Sequence, residues 1–331
     1  AAIEKAAKFA HDDHLGYITS CPTNCGTALR ASVHIKLPLL GSKANKADFE
    51  AIAAKYFVQI RGIHGEHSET DDGIFDISNR RRLGRSEAQL VQDMYDGVKA
   101  MIDAENALEK KGGAAPAQAA PAGAPAAAGA MVKAGPHLVD IKQLTGPVEF
   151  PAGTKSLVCK YLTPEIFNKF KGTKDKAGVP FELMVLSGCQ NVDSGIGVYA
   201  GSHDSYTTYA ELFDKIIEDY HQHGKDAKHK SDMDFTKLSC PPLSAEDAAM
   251  IKSTRIRVGR NLKNFPLGPG ISKEQRDKVE STVSGVLKTF TGELAGSYYA
   301  LNKMSDADRK QLVADHFLFK EGDRFLESCG L

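Results

Sequence analysis

Tryptophan is absent from this 331-residue chain, and so is any excess of charge: 42 Lys and Arg stand against 42 Asp and Glu. Without Trp, no indole anchors a membrane interface or stacks on a base. Residues 1–111 hold 15 basic and 16 acidic side chains, which leaves 27 and 26 for the remainder, so neither part carries a field of one sign. That balance argues against a general nucleic-acid binder and against an acidic-tail protein. The six cysteines (Cys21, Cys25, Cys159, Cys189, Cys240, Cys329) form no Cys-x-x-Cys pair, which argues against a zinc ribbon. In a chain large enough to build its own core they read as reduced thiols. No charged-then-apolar signal pattern follows Ala1, so the cytoplasm is the default compartment. There is no Walker A sequence, and no G-x-G-x-x-G follows a strand.

Between Lys111 and Lys133 no residue is charged, a run of 21 that is long enough to span a bilayer. Yet Gly112–Ala130 is 11 Ala, 4 Gly, 3 Pro and 1 Gln, with no Leu, Ile, Val or Phe to drive insertion. Pro116, Pro121 and Pro125 interrupt any helix. The stretch reads as a linker of about 25 Å as a flexible coil, longer where proline stiffens it.

On either side the chain is globular, with 42% apolar and 25% charged residues and length for about two domains. Ala31, Val33, Ile35 and Leu37 alternate with Arg30, Ser32, His34 and Lys36, the period-2 pattern of a strand with one polar face. Tyr56–Arg61 and Gly73–Ile77 are further strand candidates, joined by a polar loop, Gly62–Asp72. Ser86-Glu87-Ala88-Gln89 fits a capping box and opens a helix with Leu90, Val91, Met94, Val98, Met101, Ile102 and Leu108 at helical spacing. Past the linker, Thr163-Pro164 is a helix start. Tyr206–His221 is helical, with Tyr209, Leu212, Ile216 and Tyr220 on one face. Met250–Val258 reads as a strand, and Ser272–Phe290 and Ser305–His316 as helices. The expected organisation is a small helical unit followed by the start of an α+β unit.

Four clusters could carry chemistry. Cys21-Pro22-Thr23-Asn24-Cys25-Gly26-Thr27, with Arg30 beyond, sets a thiol at a strand end beside a tight turn. It is either a reactive thiolate or a buried structural cysteine. Arg61-Gly62-Ile63-His64-Gly65-Glu66-His67 is either an ordinary hairpin loop or an arginine on phosphate with Glu66 ready to orient or deprotonate a substrate. In Ser253-Thr254-Arg255-Ile256-Arg257 the two arginines point the same way on a strand. Side by side they repel, so they imply an anion or paired acids, unless the strand is a solvated edge. Asp193-Ser194-Gly195-Ile196-Gly197-Val198-Tyr199 has glycines two apart, which let backbone N–H groups approach a ligand. The run Arg80-Arg81-Arg82, with Arg85, is a solvated face or, in a nucleotide enzyme, a phosphate-steering one. Together these groups suit phosphoryl transfer, in which a protein mostly positions groups and neutralises charge.

Seven strings carry a resemblance: CPTNCGTALRASVHIKLP, RGIHGEHSE, FDISNRRRLG, VDSGIGVYAG, IIEDYH, STRIRVGR and DHFLFKEGDRFL. They resemble the ATP:guanidino phosphotransferase (phosphagen kinase) family, nearest its arginine kinase branch, with taurocyamine kinase close by. The resemblance covers nearly everything except the linker. It implies an α+β class of fold, a small all-helical domain with an antiparallel-sheet, glutamine-synthetase-like catalytic domain. It implies reversible transfer of the ATP γ-phosphoryl group to a guanidino nitrogen, with Mg²⁺ held mainly by the nucleotide and no metal site of the protein's own. By resemblance the nucleotide is held by Arg30, Ala31, Ser32, Val33, His34, Arg61, Gly62, Ile63, His64, Gly65, Glu66, Ser253, Thr254, Arg255, Ile256, Arg257 and His316. Cys21 would be a thiolate beside the guanidinium, and Glu66 would orient that group and take its proton. Ser194, Gly195, Ile196, Gly197, Val198 and Tyr199 would form the guanidino-specificity loop. Asp193 and Arg324 look like the family's interdomain ion pair. Two departures are local: Cys25 replaces the usual Leu, and His64 stands where arginine kinases commonly have Arg.

The larger departure is order. The family places the segment like 131–331 first and the segment like 1–111 last, and its central segment has no counterpart here. That segment carries a further phosphate-binding Arg and a second substrate carboxylate. The expectation is therefore a partial sequence across the junction of two tandem kinase domains. Residues 1–111 would be the tail of one catalytic domain, 112–130 the tether, 131–235 the helical domain of the next and 236–331 the start of its catalytic domain. The missing initiator Met at Ala1 and the abrupt end at Leu331 agree with this. A circular permutant is the alternative. An isolated chain of this kind can dock its two parts and imitate one site, and is expected to have little kinase activity. Arginine is the favoured substrate, with taurocyamine or another guanidino compound as the alternative, and a tandem array with one inactive scaffold domain as the non-enzymatic reading. The partners are these small molecules and the sister domain, with no nucleic acid and no membrane.

Overall fold

The computed structural model describes residues 2–62, 73–111, 131–315 and 318. Residues 112–130, the expected linker, and residues 63–72, within the expected polar loop, lie outside them. The chain begins with α1 (Ala2–Ala6) and a small ladder of β1 (His11–Asp12) and β2 (Gly16–Tyr17). A 3-10 turn over Pro22–Asn24 leads into β3 (Leu29–Lys36), followed by α2 (Lys46–Lys55), β4 (Val58–Gly62), β5 (Ile74–Asn79) and the long α3 (Glu87–Lys111). Beyond the linker, a short parallel pair, β6 (Val132–Lys133) and β7 (Val148–Glu149), introduces the helical unit. Its helices are α4 (Leu157–Tyr161), α5 (Pro164–Phe170), α6 (Phe181–Gln190), α7 (Ser205–Thr208) and α8 (Ala210–His221). Then come α9 (Ala245–Met250), β8 (Ile251–Val258), α10 (Lys273–Leu287) and α11 (Asp306–Ala314).

The alternation read along 30–37 does what a period of two requires. Ile35 and Leu37 join Phe75, Ile77 and Val58 in a core closed by Met94, Val98, Met101 and Ile102 of α3 and Phe49 and Ala53 of α2. The capping box that opens α3 is formed on both sides: Gln89 N–H donates to Ser86 Oγ at 3.3 Å, and Ser86 N–H to Gln89 Oε1 at 3.0 Å. Deeper along α3, the buried Glu105 carboxylate accepts from the Leu39 and Leu40 amides at 2.8 and 2.7 Å. That contact fixes the turn after β3 against the helix. Thr163 caps α5, its Oγ1 accepting from Ile166 N–H at 3.3 Å, with Pro164 at the first helical position. Ser272 and Ser305 cap α10 and α11 in the same way.

Three elements differ from the sequence reading. The helix expected over Tyr206–His221 is two, α7 and α8, because Tyr209 leaves helical geometry between them at φ −114° and ψ 31°. Its ring is buried against Phe170 and Phe181. Helix α6 had no periodic signal because Phe181, Met184, Val185 and Cys189 are buried and little of the helix faces water. Helix α2 is Ala-rich and buries only Phe49 and Ala53, too little for a stripe to stand out.

The four-stranded sheet has the order β4-β5-β3-β8 and is antiparallel throughout. Its last pairing crosses the linker: β3 from the first part hydrogen-bonds β8 from the second. A second contact is apolar. Ala10, Leu15, Ile18, Cys25 and Leu83 of the first part enter the core built by α4–α8. The docking of the two parts, expected for an isolated chain, is thus made by a ladder and a shared core. Among the described residues no helix is long and apolar enough to cross a membrane, and five cysteines are free thiols.

Met101 is fully buried beneath the sheet. Met101→Ala should destabilise the chain by about 2–5 kcal/mol, the usual cost of a large-to-small core truncation, read as a lower urea midpoint with an unchanged slope.

Candidate active site

Directly opposed residues of an antiparallel pair share a face. One face of the sheet packs on α3; the other is a field of polar side chains in cross-strand rows. Arg30 on β3 lies opposite Arg257 on β8. Ser32 lies between Arg255 and Ser78, and His34 between Ser253 and Asp76. Arg61 on β4 stands opposite Asp76. The alternation that buried Ile35 therefore also aims Arg30, Ser32 and His34 at the opposite side.

One carboxylate holds this face together. Arg30 Nη2 donates to Asp76 Oδ2 at 2.7 Å and to Ser78 Oγ at 3.2 Å, with both ionic side chains largely buried. Arg30 Nε and Asp76 Oδ1 are buried and lack a hydrogen-bond partner among the described residues. Burial, together with the positive charges of Arg30 and Arg255, pulls the Arg257 guanidinium below the ordinary arginine range, and Asp76 offsets part of this. Clustered guanidinium groups suit a polyanion.

A cavity of about 1410 Å³ opens on this face. Arg30, Arg61, Gly62 and Arg257 line it, and so do Cys21, Ser194, Gly195, Ile196 and Tyr199. The structure thus gathers sequence-predicted groups from both sides of the linker around one space. Cys21 caps the Pro22–Asn24 turn, with Sγ 3.1 Å from Thr23 Oγ1. Burial pushes its thiol up, against the Thr23 hydrogen bonds and the positive charge of Arg82. In this state the protein's own surroundings favour the thiol over the thiolate. Cys25 points into the shared core instead, 3.4 Å from the Tyr206 hydroxyl.

The 194–199 loop is built differently from the expectation of two ligand-approaching glycines. Its carbonyls serve α4: Leu157 N–H donates to Gly195 O at 3.1 Å and Val158 N–H to Ile196 O at 2.8 Å. Gly197, at φ +76°, is a packing glycine, since a Cβ there would lie 2.4 Å from Val158 Cγ1. Only Gly195 has open space around it. Val198 is a core residue.

Other expected nucleotide residues divide by face. Ala31 and Val33 lean on the core beneath the sheet. Ile256 projects from the edge strand with 69% exposure. Thr254 lies opposite Val33, and Ser253 Oγ is 3.0 Å from His34 Nδ1. Asp193 is exposed. Ile63, His64, Gly65, Glu66, His316 and Arg324 lie outside the described residues, so the general-base assignment and the interdomain ion pair are not located.

The arginine run at 80–82 is not uniformly a solvated face: Arg80 is exposed, Arg81 half-buried and Arg82 buried. Arg82 is buried and donates from Nη1 to Thr23 O at 2.7 Å, Arg80 lies over the Tyr220 ring, and both line the cavity. Arg81 stacks on Phe57 at 3.6 Å. Lys43, Lys46 and Tyr220 also line the space without having been singled out. The run of three arginines was the available signal for Arg80 and Arg82. For the lysines there was none, since they stand outside any motif. The donor set fits nucleotide phosphates. Among the described residues no three His, Cys, Asp or Glu side chains gather as a metal site.

Removing Asp76 leaves Arg30 without its carboxylate. Asp76→Ala should cost about 3–5 kcal/mol in urea denaturation, and pyrophosphate should restore more stability to the variant than it adds to the wild type. Because burial raises its pKa, Cys21 should react with iodoacetamide slowly at pH 7. Its rate should climb as pH passes 9, tracked by peptide mass spectrometry.

Known proteins resemble this chain over nearly its whole length. A family model described as "ATP:guanido phosphotransferase, C-terminal catalytic domain" matches residues 1–108 and 278–329. The corresponding N-terminal domain model matches 152–218. An arginine kinase of Anthopleura japonica is 47% identical over 334 residues, covering 99% of this chain and 42% of that protein. A taurocyamine kinase of Schistosoma mansoni is 39% identical, with 99% and 42% covered. Among solved structures, the duplicated taurocyamine kinase from Schistosoma mansoni with bound transition state analog components matches at a TM-score of 0.44 and 36% identity, covering 98% of this chain and 43% of that one. The chain spans less than half the length of these relatives. The two family models reach both sides of the linker and both walls of the arginine-lined cavity, and the chain belongs to the ATP:guanido phosphotransferase family.

Proposed function

We propose that the protein is an ATP-dependent guanidino kinase that moves the γ-phosphoryl group of Mg-ATP reversibly to arginine, giving phosphoarginine and ADP. The observation that carries the reading is the convergence of Arg30, Arg61 and Arg257 with Cys21 and the Ser194–Tyr199 loop on one cavity. In phosphoryl transfer the negative charge spreads over the transferred group, and fixed guanidinium groups stabilise it without reorganising. Arg30, Arg61 and Arg257 take that role, with Arg255 one row along the sheet. Asp76 keeps Arg30 oriented. The magnesium ion, carried by the nucleotide, supplies further neutralisation of the phosphates.

The acceptor lies between Cys21 and the 194–199 loop. Its guanidino nitrogen forms a bond to the γ-phosphorus as the bond from that phosphorus to the β–γ bridging oxygen breaks, and ADP leaves. Glu66 orients the guanidinium and takes its proton, and His64 and His316 flank the nucleotide. A thiolate at Cys21 requires the substrate's positive charge to offset its burial. Arginine is favoured because the 47% identical relative is an arginine kinase. Taurocyamine is the alternative, from the 39% identical one.

The domain reading is a tandem junction: 1–111 from one catalytic domain, 112–130 as tether, 131–235 as the next helical domain, 236–331 as the start of its catalytic domain. It is supported by the single run of 334 residues that aligns this whole chain with 42% of one relative. Arginine kinases such as that of Scylla serrata align over only 182 residues. A cytoplasmic location goes with this reading.

A coupled ADP-release assay tests the function. The full-length protein should turn over ATP with arginine in preference to taurocyamine, creatine, lombricine and glycocyamine. The 331-residue chain should fall below it by several orders of magnitude, since a missing phosphate arginine and carboxylate each remove about a factor of ten per 1.4 kcal/mol of lost stabilisation. Turnover by the 331-residue chain close to that of the full-length protein would refute the junction reading.

A further inference from the structure

Away from the cavity, four histidines line the seam between the two parts. His14 belongs to the first part, and His221, His223 and His229 to the second. The rings of His14 and His223 stack at 4.9 Å with 29° between their planes. His223 Nε2 lies 2.9 Å from His14 O, and His14 Nδ1 lies 2.6 Å from Ala227 O. His221 closes the end of α8 and is buried. Its Nε2 lies 3.0 Å from Pro22 O, while the Arg82 and Leu83 amides point at its Nδ1 at 3.4 and 3.5 Å. The Gly84 amide points at His229 Nδ1 at 3.3 Å, and His229 N–H donates to Asp13 O at 2.9 Å.

These partners fix the protonation pattern. A carbonyl only accepts, so His221 Nε2 carries its hydrogen; a backbone N–H only donates, so His221 Nδ1 presents a lone pair. By the same rule His229 is bare at Nδ1. A proton added at either Nδ1 would set an N–H against one or two others. The first part packs closely against the rings. Gly84 is at φ +75° with its Cβ position 3.2 Å from His223 Nδ1, and a Cβ on Gly16 would meet His229 Cδ2 at 2.5 Å.

We propose that this histidine seam is an acid-sensitive latch, whose protonation releases the 82–84 turn and the Pro22 turn of the sheet unit from the end of α8. Both turns border the cavity, through Arg82 and Thr23, so release would open its wall.

The charges facing the seam favour the neutral rings at its centre. His221 faces Arg82, His223 and Arg81, and burial with these charges lowers it to about 3. His223 is lowered chiefly by burial, with the His14 carbonyl opposing and the His14 ring charge assisting. His229 is lowered by burial, with Glu87 opposing and His223 and His11 assisting. Across from His14, Asp214 is raised by burial, with Lys225 and Asp226 near it. The sign follows directly. A histidine depressed in the docked state contributes its full stability above its free value near 6.5 and loses it as pH falls toward the docked value. From pH 7.5 to 5.0, His221, whose docked value lies near 3, shifts the balance toward release by about 30-fold, the limit set by its free value near 6.5; His223 and His229 act in the same direction.

Hydrogen exchange on the intact chain at pH 7.5 and 5.0, corrected for intrinsic rates, tests the latch. Protection of the Arg82, Leu83 and Gly84 amides should fall by at least about 30-fold relative to the Met101 and Ile102 amides of α3. Unchanged protection at 82–84, or equal loss in α3, would overturn the proposal. The double variant His221→Gln, His229→Gln keeps a donor and an acceptor but does not titrate. If it folds, its local loss should vanish, and a loss equal to the wild type's would also overturn the proposal. The wild-type comparison decides the matter without it.

Discussion

The antiparallel pairing of β3 with β8 is the constraint from which the rest follows. It sets Arg30 opposite Arg257 and Ser32 opposite Arg255, so residues more than 200 positions apart become one cationic surface. Without that ladder the arginines of Ser253–Arg257 would be an exposed strand and the cavity would lack a wall. The cost of the arrangement is repulsion, and it is met locally by Asp76, which lies one strand over and in register with both Arg61 and His34. Among the described residues, Asp76 is the carboxylate in register with this cationic face.

The same face explains why the helical unit must dock where it does. Its 194–199 loop is pinned by carbonyls that cap α4, and its end is tied beside Cys21 by two hydrogen bonds, one backbone and one from a side chain: Ala200 N–H donates to Ser20 O at 2.7 Å while Ser20 Oγ donates to Ala200 O at 2.8 Å. Tyr206 reaches back from α7 to donate to Thr19 O at 2.8 Å. The side of the cavity lined by Cys21 and the 194–199 loop is thus held by the interface between the parts, not by either part alone. The histidine seam lies on that same interface, so a change in docking changes the cavity.

Much of this was legible before any coordinate. The period-2 run at 30–37 gave both a strand and its polar face, and the capping signals at Ser86 and Thr163 each begin a helix. The motif strings identified the family and most of the cavity's residues. What failed failed for physical reasons. Helix α6 is buried nearly all round, so no polar stripe marks its period. Gly197 reads like a ligand-binding glycine, yet its missing side chain makes room for Val158. Arg82 reads like a surface charge, yet it is buried with its guanidinium on a backbone carbonyl. Cys21 reads as a thiolate, while burial favours the neutral thiol until a positive charge arrives.

The sequence by itself determined the local geometry and the chemical inventory: which segments are strands or helices, where helices start, and which arginines, thiol and glycines are present. These depend on contacts between near neighbours, whose spacing is written in the chain. Only the tertiary structure decided which arginines share a face, which carboxylate balances them, and which glycine packs rather than binds. It also decided that histidines scattered from 14 to 229 meet in one seam. Those outcomes rest on strand register and on packing across the linker, where the partners are distant in sequence and nothing in either segment alone names the other.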